Sequence, residues 1–343
     1  MVDRIIIHLG DSKCGSTSLQ RTLRTPACQE VCFFPGVRLN HNGLAQSIFR
    51  PRHKGKAKDR FEAVWREIQV CDQPVAVVSA EQFQAVDPVE LHAAITAYWP
   101  DALAKIEFAL YLRPHVSKLR AMYSERVKFG AKVGSLEDYA DQIIQTKKLD
   151  YMPRLAKWRA LDRKVTIRAF VSDALHERDL VKDFFSVFLH RLPPPDSREF
   201  ANRSLTSVQI ELLKRLPELM CEIGFAERLP NEMPRLLAHE LRSSGIGFAG
   251  TGVRFNQVSL EALRQRYAQD AAEVDRRFFE IGWFTHALKT EDANDEAISS
   301  HPSQSDIERF EEIARSHLLE FSVSPDQWVQ QARSALRAAR LGY

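Results

Sequence analysis

His8-Leu9-Gly10-Asp11-Ser12-Lys13-Cys14-Gly15-Ser16-Thr17-Ser18-Leu19-Gln20 is the stretch on which the reading of this chain turns. It follows Ile5-Ile6-Ile7, part of a short apolar run over residues 4–9 that has the length of a buried strand and breaks at Gly10. Past the loop, residues 16–23 suit a helix, with Leu19 and Leu23 four apart on one face. A strand, a tight loop with Lys and Gly, and a helix opening on Ser-Thr-Ser are the parts of an anion cradle. The first N–H groups of a helix lack intrahelical acceptors and point at whatever lies beyond its N-terminus. Gly15 lets the backbone come close, Lys13 can reach charge developing on a bridging oxygen, and the hydroxyls of Ser16, Thr17 and Ser18 add donors without bulk. A nucleotide-triphosphatase loop would read G-x-x-x-x-G-K-[ST]. Here Lys13 precedes Gly15, and Cys14 stands where a Mg²⁺-binding hydroxyl would follow the lysine.

Working outward, residues 75–79 (Val-Ala-Val-Val-Ser), 106–112 and 165–170 read as three further strands. Residues 61–70, 89–98, the stretch from Pro114 to about Gly130, and residues 173–189 read as the helices between and after them. This alternation predicts an α/β fold, a central parallel sheet flanked by helices. Residues 26–60 look irregular. After Pro193-Pro194-Pro195 the chain becomes mainly helical, with candidates at 206–222, 232–243, 259–279, 303–321 and 325–341 and a polar linker at 289–306. The expected division is an α/β core over 1–195 and a helical extension over 196–343 that completes the ligand site within one compact domain.

In an open α/β sheet, ligands bind outside the carboxyl ends of the strands. Three strand ends carry polar residues there: the loop above, Ser79-Ala80-Glu81-Gln82 after the second strand, and Arg113-Pro114 after the third. The formal charge of +3 over 343 residues is too near balance for nucleic-acid binding by the whole surface, so any anion site is local. The five cysteines, Cys14, Cys28, Cys32, Cys71 and Cys221, are odd in number and scattered, which fits a reducing, cytoplasmic setting better than a disulfide framework. No metal-ligand spacing is visible, and the early apolar run is too short for a signal segment or a membrane span.

The loop Lys13-Cys14-Gly15-Ser16-Thr17-Ser18 resembles the K-x-G-[ST]-T-[ST] loop that binds the 5′-phosphosulfate end of the cofactor in bacterial sulfotransferases dependent on 3′-phosphoadenosine 5′-phosphosulfate (PAPS). The resemblance spans about residues 4–216. It includes residues 119–130, Ile167-Arg168-Ala169-Phe170 with residues 179–185, and Asn202-Arg203-Ser204-Leu205-Thr206, and it is weaker near Arg266-Tyr267-Ala268-Gln269-Asp270. It implies a P-loop-like sulfotransferase fold and transfer of a sulfuryl group to a hydroxyl or amine, leaving adenosine 3′,5′-bisphosphate, with no metal. Residues 13–18 would hold the cofactor together with Arg113, which resembles the family's arginine for the 3′-phosphate. The family's serine eight residues later is Ala121 here, and Ser117 or Ser124, one turn to either side, would have to substitute. Arg203 would close over the 3′-phosphate, while Thr206 or Ser204 equally suits a plain helix cap.

Such a transfer needs charge stabilisation on the leaving oxygen, for which Lys13 is the candidate, and a base for the acceptor proton. Glu81, where the resemblance places S-x-E, is the first choice. His41, in the irregular segment expected to cover the site, is the second. The implied partner is an acceptor glycan, glycolipid or small molecule. The competing readings are a P-loop kinase or other phosphotransferase, and an inactive nucleotide- or glycan-binding module, which Ala121 favours. Gly245-Ile246-Gly247-Phe248-Ala249-Gly250 matches G-x-G-x-x-G but follows a helical pattern rather than a strand, and reads as a loop. The basic residues from 50 to 60 read as a solvated face; if functional, they suit an anionic glycan.

Overall fold

The structure is a computed structural model that describes residues 2–131, 133–161, 163–195, 204–225, 229–248, 251–291 and 301–339. Among them, four parallel strands form one sheet: β1 (Arg4–His8), β2 (Val75–Ser79), β3 (Ile106–Leu112) and β4 (Val165–Ala169), in the order β2-β1-β3-β4. Helices flank the sheet, and every described element after residue 195 is a helix, as the sequence pattern predicts.

The apolar runs become strands because both faces are buried. Ile6, Val77, Ala109 and Tyr111 share a face and meet Leu19, Leu23, Phe184, Phe185 and Phe188. On the other face Phe108 packs against Trp158 with ring centres 5.1 Å apart. Only β4, at the sheet's edge, is half-exposed along most of its length. Because β2 lies on one side of β1 and β3 on the other, the chain winds both ways from β1. The crevice between the carboxyl ends of β1 and β3 is therefore the topological switch point, the usual ligand position in such sheets.

Residues 26–60 are more regular than expected. They hold the helices Pro26–Gln29 and Asn42–Phe49, the 3₁₀ turn Pro51–Lys56 and the start of helix Ala57–Val70. Tertiary contacts stabilise these short pieces, whose isolated propensity would be marginal. Phe33 bridges β2 through its N–H to the Val75 carbonyl and its carbonyl to the Val77 N–H, both 2.8 Å. Leu44, Ala45 and Ile48 are buried beneath helix Asn42–Phe49. The expected helix over 173–189 is instead two 3₁₀ turns, the helix Leu180–Phe184 and a π turn, Phe185–Leu189. Buried Asp183 breaks it: its carboxylate accepts from the Tyr111 hydroxyl at 2.7 Å, the Arg168 guanidinium and the His176 N–H at 2.9 Å.

The chain forms two compact units. The first comprises Met1–His115, Leu149–Asn202 and Arg266–Thr290, and contains the sheet. The second comprises Val116–Lys148, Arg203–Gln265 and Glu291–Tyr343. In the second, Thr206 caps helix Ser207–Lys214 in a reciprocal box with Gln209, and Gln209 donates to the carbonyls of Leu241 and Ile246, each at 2.9 Å. Gly245 ends helix Glu232–Ser244 in the left-handed conformation, so the first glycine of the G-x-G-x-x-G match is a helix cap. Ala249 and Gly250 lie outside the described residues.

Candidate functional site

The loop after β1 is pinned by backbone and side-chain bonds to both neighbouring strand ends. The Leu9 N–H donates to the Ala109 carbonyl of β3 at 2.9 Å, and the Ala80 N–H, just past β2, donates to the His8 carbonyl at 3.2 Å. Gly10, at φ 53°, passes so close to the exit of β2 that a Cβ would stand 2.7 Å from the Ala80 carbonyl oxygen and 2.8 Å from the Glu81 Cα. The Ser12 N–H reaches Oε1 of Gln84 at 3.1 Å, in the 3₁₀ turn Glu81–Ala85. The loop carrying Lys13 and the turn opened by Glu81 are thus one assembly.

Three left-handed residues, Gly10, Lys13 (φ 65°) and Gly15 (φ 71°), shape the loop. Repeated reversal of this kind turns successive N–H groups to one side and makes an anion-binding concavity. Lysine in this conformation carries backbone strain of about 1–2 kcal/mol, which persists where a site requires it. Gly15 is the residue before helix Ser16–Leu23, and no side chain caps that helix. Among the described residues, the N–H groups of Gly15, Ser16 and Thr17 have no acceptor, and the buried hydroxyl of Ser16 has no partner. Those donors in one helical turn fit phosphate or sulfate oxygens. Ser18 starts the helical ladder instead, its N–H bonded to the Gly15 carbonyl at 3.0 Å. Cys14 anchors the loop: its thiol is buried in the core, and its N–H donates to the Asp11 carbonyl at 3.3 Å.

Arg113 leaves β3 across the switch point and donates from Nη1 to the Lys13 carbonyl at 3.0 Å. Its guanidinium lies over the Phe170 ring, 5.7 Å from the centre. The Arg113 guanidinium therefore meets the backbone of the loop at Lys13, beside the switch point. Arg113 is held from behind by the Tyr151 hydroxyl, which donates to the Arg113 carbonyl at 2.5 Å. The Tyr151 and Met152 N–H groups, opening helix Tyr151–Ala160, donate to the Asp270 carboxylate at 2.9 and 3.0 Å.

A buried acid needs a partner, and Asp11 has one. Its carboxylate, with no exposed surface, accepts two bonds of 3.1 Å from Arg154 and one of 3.1 Å from the Ser12 N–H. Burial opposes the Arg154 charge, but Asp11 outweighs it and holds the guanidinium more firmly protonated than usual. Sequence reading did not find Arg154, Tyr151 or Gln84, which lie far along the chain from the loop they hold. The one available signal was Asp11 itself, a carboxylate out of place in a loop read as an anion cradle.

Glu81 is half-buried at the carboxyl end of β2. His41 is placed differently from what a base requires. It is 7% exposed, its Nδ1 accepts the Ser79 N–H at 3.0 Å, and its Nε2 lies 3.0 Å from the Pro35 carbonyl. Burial pushes its pKa down to about 4. The neutral imidazole thus has its lone pair and its proton both engaged, tying the 35–41 segment to β2. His8, also lowered to about 4 by burial, pairs through Nδ1 with the Ser79 hydroxyl at 2.7 Å, and Gln20 donates to the same hydroxyl at 2.9 Å. Ser117 belongs to the second unit, and Arg203 lies outside the described residues. A groove of about 1250 Å³ on the second unit, lined by Phe129, Lys214, Leu216 and Met220 among others, contains none of the residues singled out.

Among the described residues no helix is long and apolar enough to cross a membrane, and no group of three or more His, Cys, Asp or Glu side chains could hold a metal ion. No protein-family model matches the chain, and no curated protein matches it. Among solved structures, the crystal structure of a sulfotransferase from Alicyclobacillus acidocaldarius aligns with 84% of this chain and 99% of that one, at 12% identity and a TM-score of 0.44. A likeness at that level carries no argument about chemistry, which rests on the crevice itself.

Proposed function

We propose that the chain is a sulfotransferase that takes the sulfuryl group of PAPS and passes it to a hydroxyl or amine of a carbohydrate or glycolipid acceptor. The observation that carries this reading is the Arg113 guanidinium bonded to the Lys13 carbonyl at the switch point, beside a helix N-terminus with unspent donors. One nucleotide with phosphate groups at both its 5′ and 3′ positions has the charges to engage both cations. In this reading the N–H groups of Gly15, Ser16 and Thr17 and the Ser16 hydroxyl donate to the 5′ phosphosulfate, and Arg113 holds the 3′-phosphate through its planar guanidinium.

The acceptor oxygen or nitrogen bonds to sulfur as the sulfur–oxygen bond to the 5′-phosphate breaks. Negative charge grows on the departing phosphate oxygen, where the Lys13 ammonium stabilises it. Glu81 receives the acceptor proton. His41 serves the site by fixing the neighbouring segment, since its ring nitrogens are both occupied. The buried Cys14 thiol stands where a kinase of the nucleotide-triphosphatase type needs a hydroxyl for Mg²⁺, so the phosphotransferase reading has less support.

The test is transfer of labelled sulfate from PAPS to a panel of glycans and small alcohols. Lys13→Ala should remove transfer, and turnover at the wild-type rate in that variant would sink the assignment. Glu81→Gln should lower turnover by about 10²-fold or more with little change in nucleotide affinity. A loss confined to binding would take the base role from Glu81.

A further inference from the structure

Charge in this chain is not evenly spread. Arg50, Arg52, Lys54, Lys56, Lys58 and Arg60 stand against Asp59 within eleven residues, while all 343 residues together carry only +3. The 3₁₀ turn Pro51–Lys56 has no buried residue and runs directly into helix Ala57–Val70. At a rise of about 2 Å per residue, its side chains fan over roughly 12 Å of surface. Arg50, Arg52, Lys54 and Lys56 are all exposed, and among the described residues none has an acidic partner. The neighbouring ion pair, Lys58 with Glu62, is long at 3.9 Å. His53 sits among these cations: desolvation, then the charges of Arg60, Lys56, Arg50 and Arg52, push its pKa below the ordinary range. Mutual repulsion of this kind costs stability unless an outside anion relieves it.

The patch is fastened to the candidate site. Arg60 donates to the Gly43 carbonyl at 2.6 Å and lies 3.3 Å from Nδ1 of His53. Gly43 is in helix Asn42–Phe49, and the Asn42 side chain accepts the N–H of Gln82, the residue after Glu81, at 3.1 Å. The number of cations and their extent exceed what a single phosphate or sulfate would neutralise. None of the large exposed apolar side chains falls within residues 50–60, so the patch lacks what a lipid interface would take up. Its one aromatic ring is that of His53, engaged by Arg60, and the neighbouring Phe49 ring is already taken by the Arg50 guanidinium, 5.6 Å from its centre, so neither ring is a free platform for a stacked base.

We propose that residues 50–60 form the docking surface for an acidic oligosaccharide acceptor, one bearing several carboxylate or sulfate groups, which it presents to the turn carrying Glu81. This rests on the acceptor role given to that turn under the proposed function. The same cations that lower His53 make it a reporter, because an anion seated among them favours the imidazolium and moves its titration upward.

The experiment is an NMR titration of the His53 ring protons in the full chain with a hexagalacturonate probe at low salt, with neutral maltohexaose as control. Wild-type and an Arg52→Glu/Lys54→Glu/Lys56→Glu variant are compared, and adenosine 3′,5′-bisphosphate is titrated separately into each. Hexagalacturonate should raise the His53 midpoint while maltohexaose leaves it in place. The triple variant, altered only at exposed positions, should bind the probe weaker by on the order of tenfold or more and bind the bisphosphate as wild-type does. Equal probe affinity in wild-type and variant overturns the surface, as does a His53 response to phosphatidylserine vesicles but not to hexagalacturonate. Failure of the bisphosphate to bind, with the His53 response intact, overturns the cofactor reading and with it the acceptor role, leaving an acidic-oligosaccharide site.

Discussion

The ion pair between Asp11 and Arg154 gives a quantitative handle on how the loop is held. Consider Asp11→Ala, Arg154→Ala and the double variant. Breaking a buried pair by removing one partner costs about 3–5 kcal/mol, because the other charge is left uncompensated. The Arg154 side chain keeps 23% exposure and Asp11 has none. Water therefore recovers part of the arginine's solvation when Asp11 is removed, which puts Asp11→Ala near the lower end, about 3 kcal/mol. Arg154→Ala strands a carboxylate without solvent and belongs near the upper end, about 5 kcal/mol. The double variant strands neither charge, so its loss should fall short of the sum by about 2–3 kcal/mol. Urea unfolding followed by fluorescence measures all four corners of the cycle, with Trp158 on the same helix as Arg154 as a local probe. Both single variants should also weaken nucleotide binding, since the Ser12 and Cys14 N–H groups are fastened to Asp11. Single losses that add within about 0.5 kcal/mol would refute the reasoning.

Two other perturbations test the packing around the site. Gly10→Ala combines a left-handed backbone with a Cβ 2.7 Å from the Ala80 carbonyl oxygen; it should cost about 2–4 kcal/mol, and an unchanged melting temperature would contradict the close approach. Stability should also depend on pH through His8 and His41, whose folded pKa of about 4 lies below the ordinary 6.5. The unfolded chain then binds more protons, so the stabilisation is complete above pH 6.5 and is lost as pH falls toward 4. Each residue contributes on the order of 3 kcal/mol over that window. Denaturation midpoints between pH 7.5 and 4.5 should flatten in His41→Asn, and an unaltered slope there would count against a neutral, buried imidazole.

The strands were legible because parallel strands buried on both faces leave continuous apolar runs, as in Ile5-Ile6-Ile7 and Val75-Ala76-Val77-Val78. The turn from β1 into helix Ser16–Leu23 was legible because its signals are local: Gly10 and Gly15, both left-handed, separate the apolar run from the helix that carries Leu19 and Leu23. Helix Asn42–Phe49 was not, since Asn-Gly at its start reads as a turn and its stability comes from Leu44 and Ile48 packing inward. Helix Leu136–Thr146 could have been found, because Ser135 and Asp138 form the capping box that announces it. Arg154 was out of reach, since nothing periodic links it to an aspartate 143 positions earlier. His41 looked like a loop histidine, and only its bonds to Ser79 and Pro35 show it to be a strut.

The central claim is that Lys13 and Arg113 serve one doubly phosphorylated nucleotide. Calorimetric titration of adenosine 3′,5′-bisphosphate in the presence of EDTA tests it most directly, on wild-type, Lys13→Ala and Arg113→Ala. Tight binding to wild-type without Mg²⁺ is expected, weakened by about 10–100-fold in each variant, as befits loss of one charge-assisted contact. A wild-type protein that ignores the bisphosphate and binds ATP only with Mg²⁺ would contradict the account.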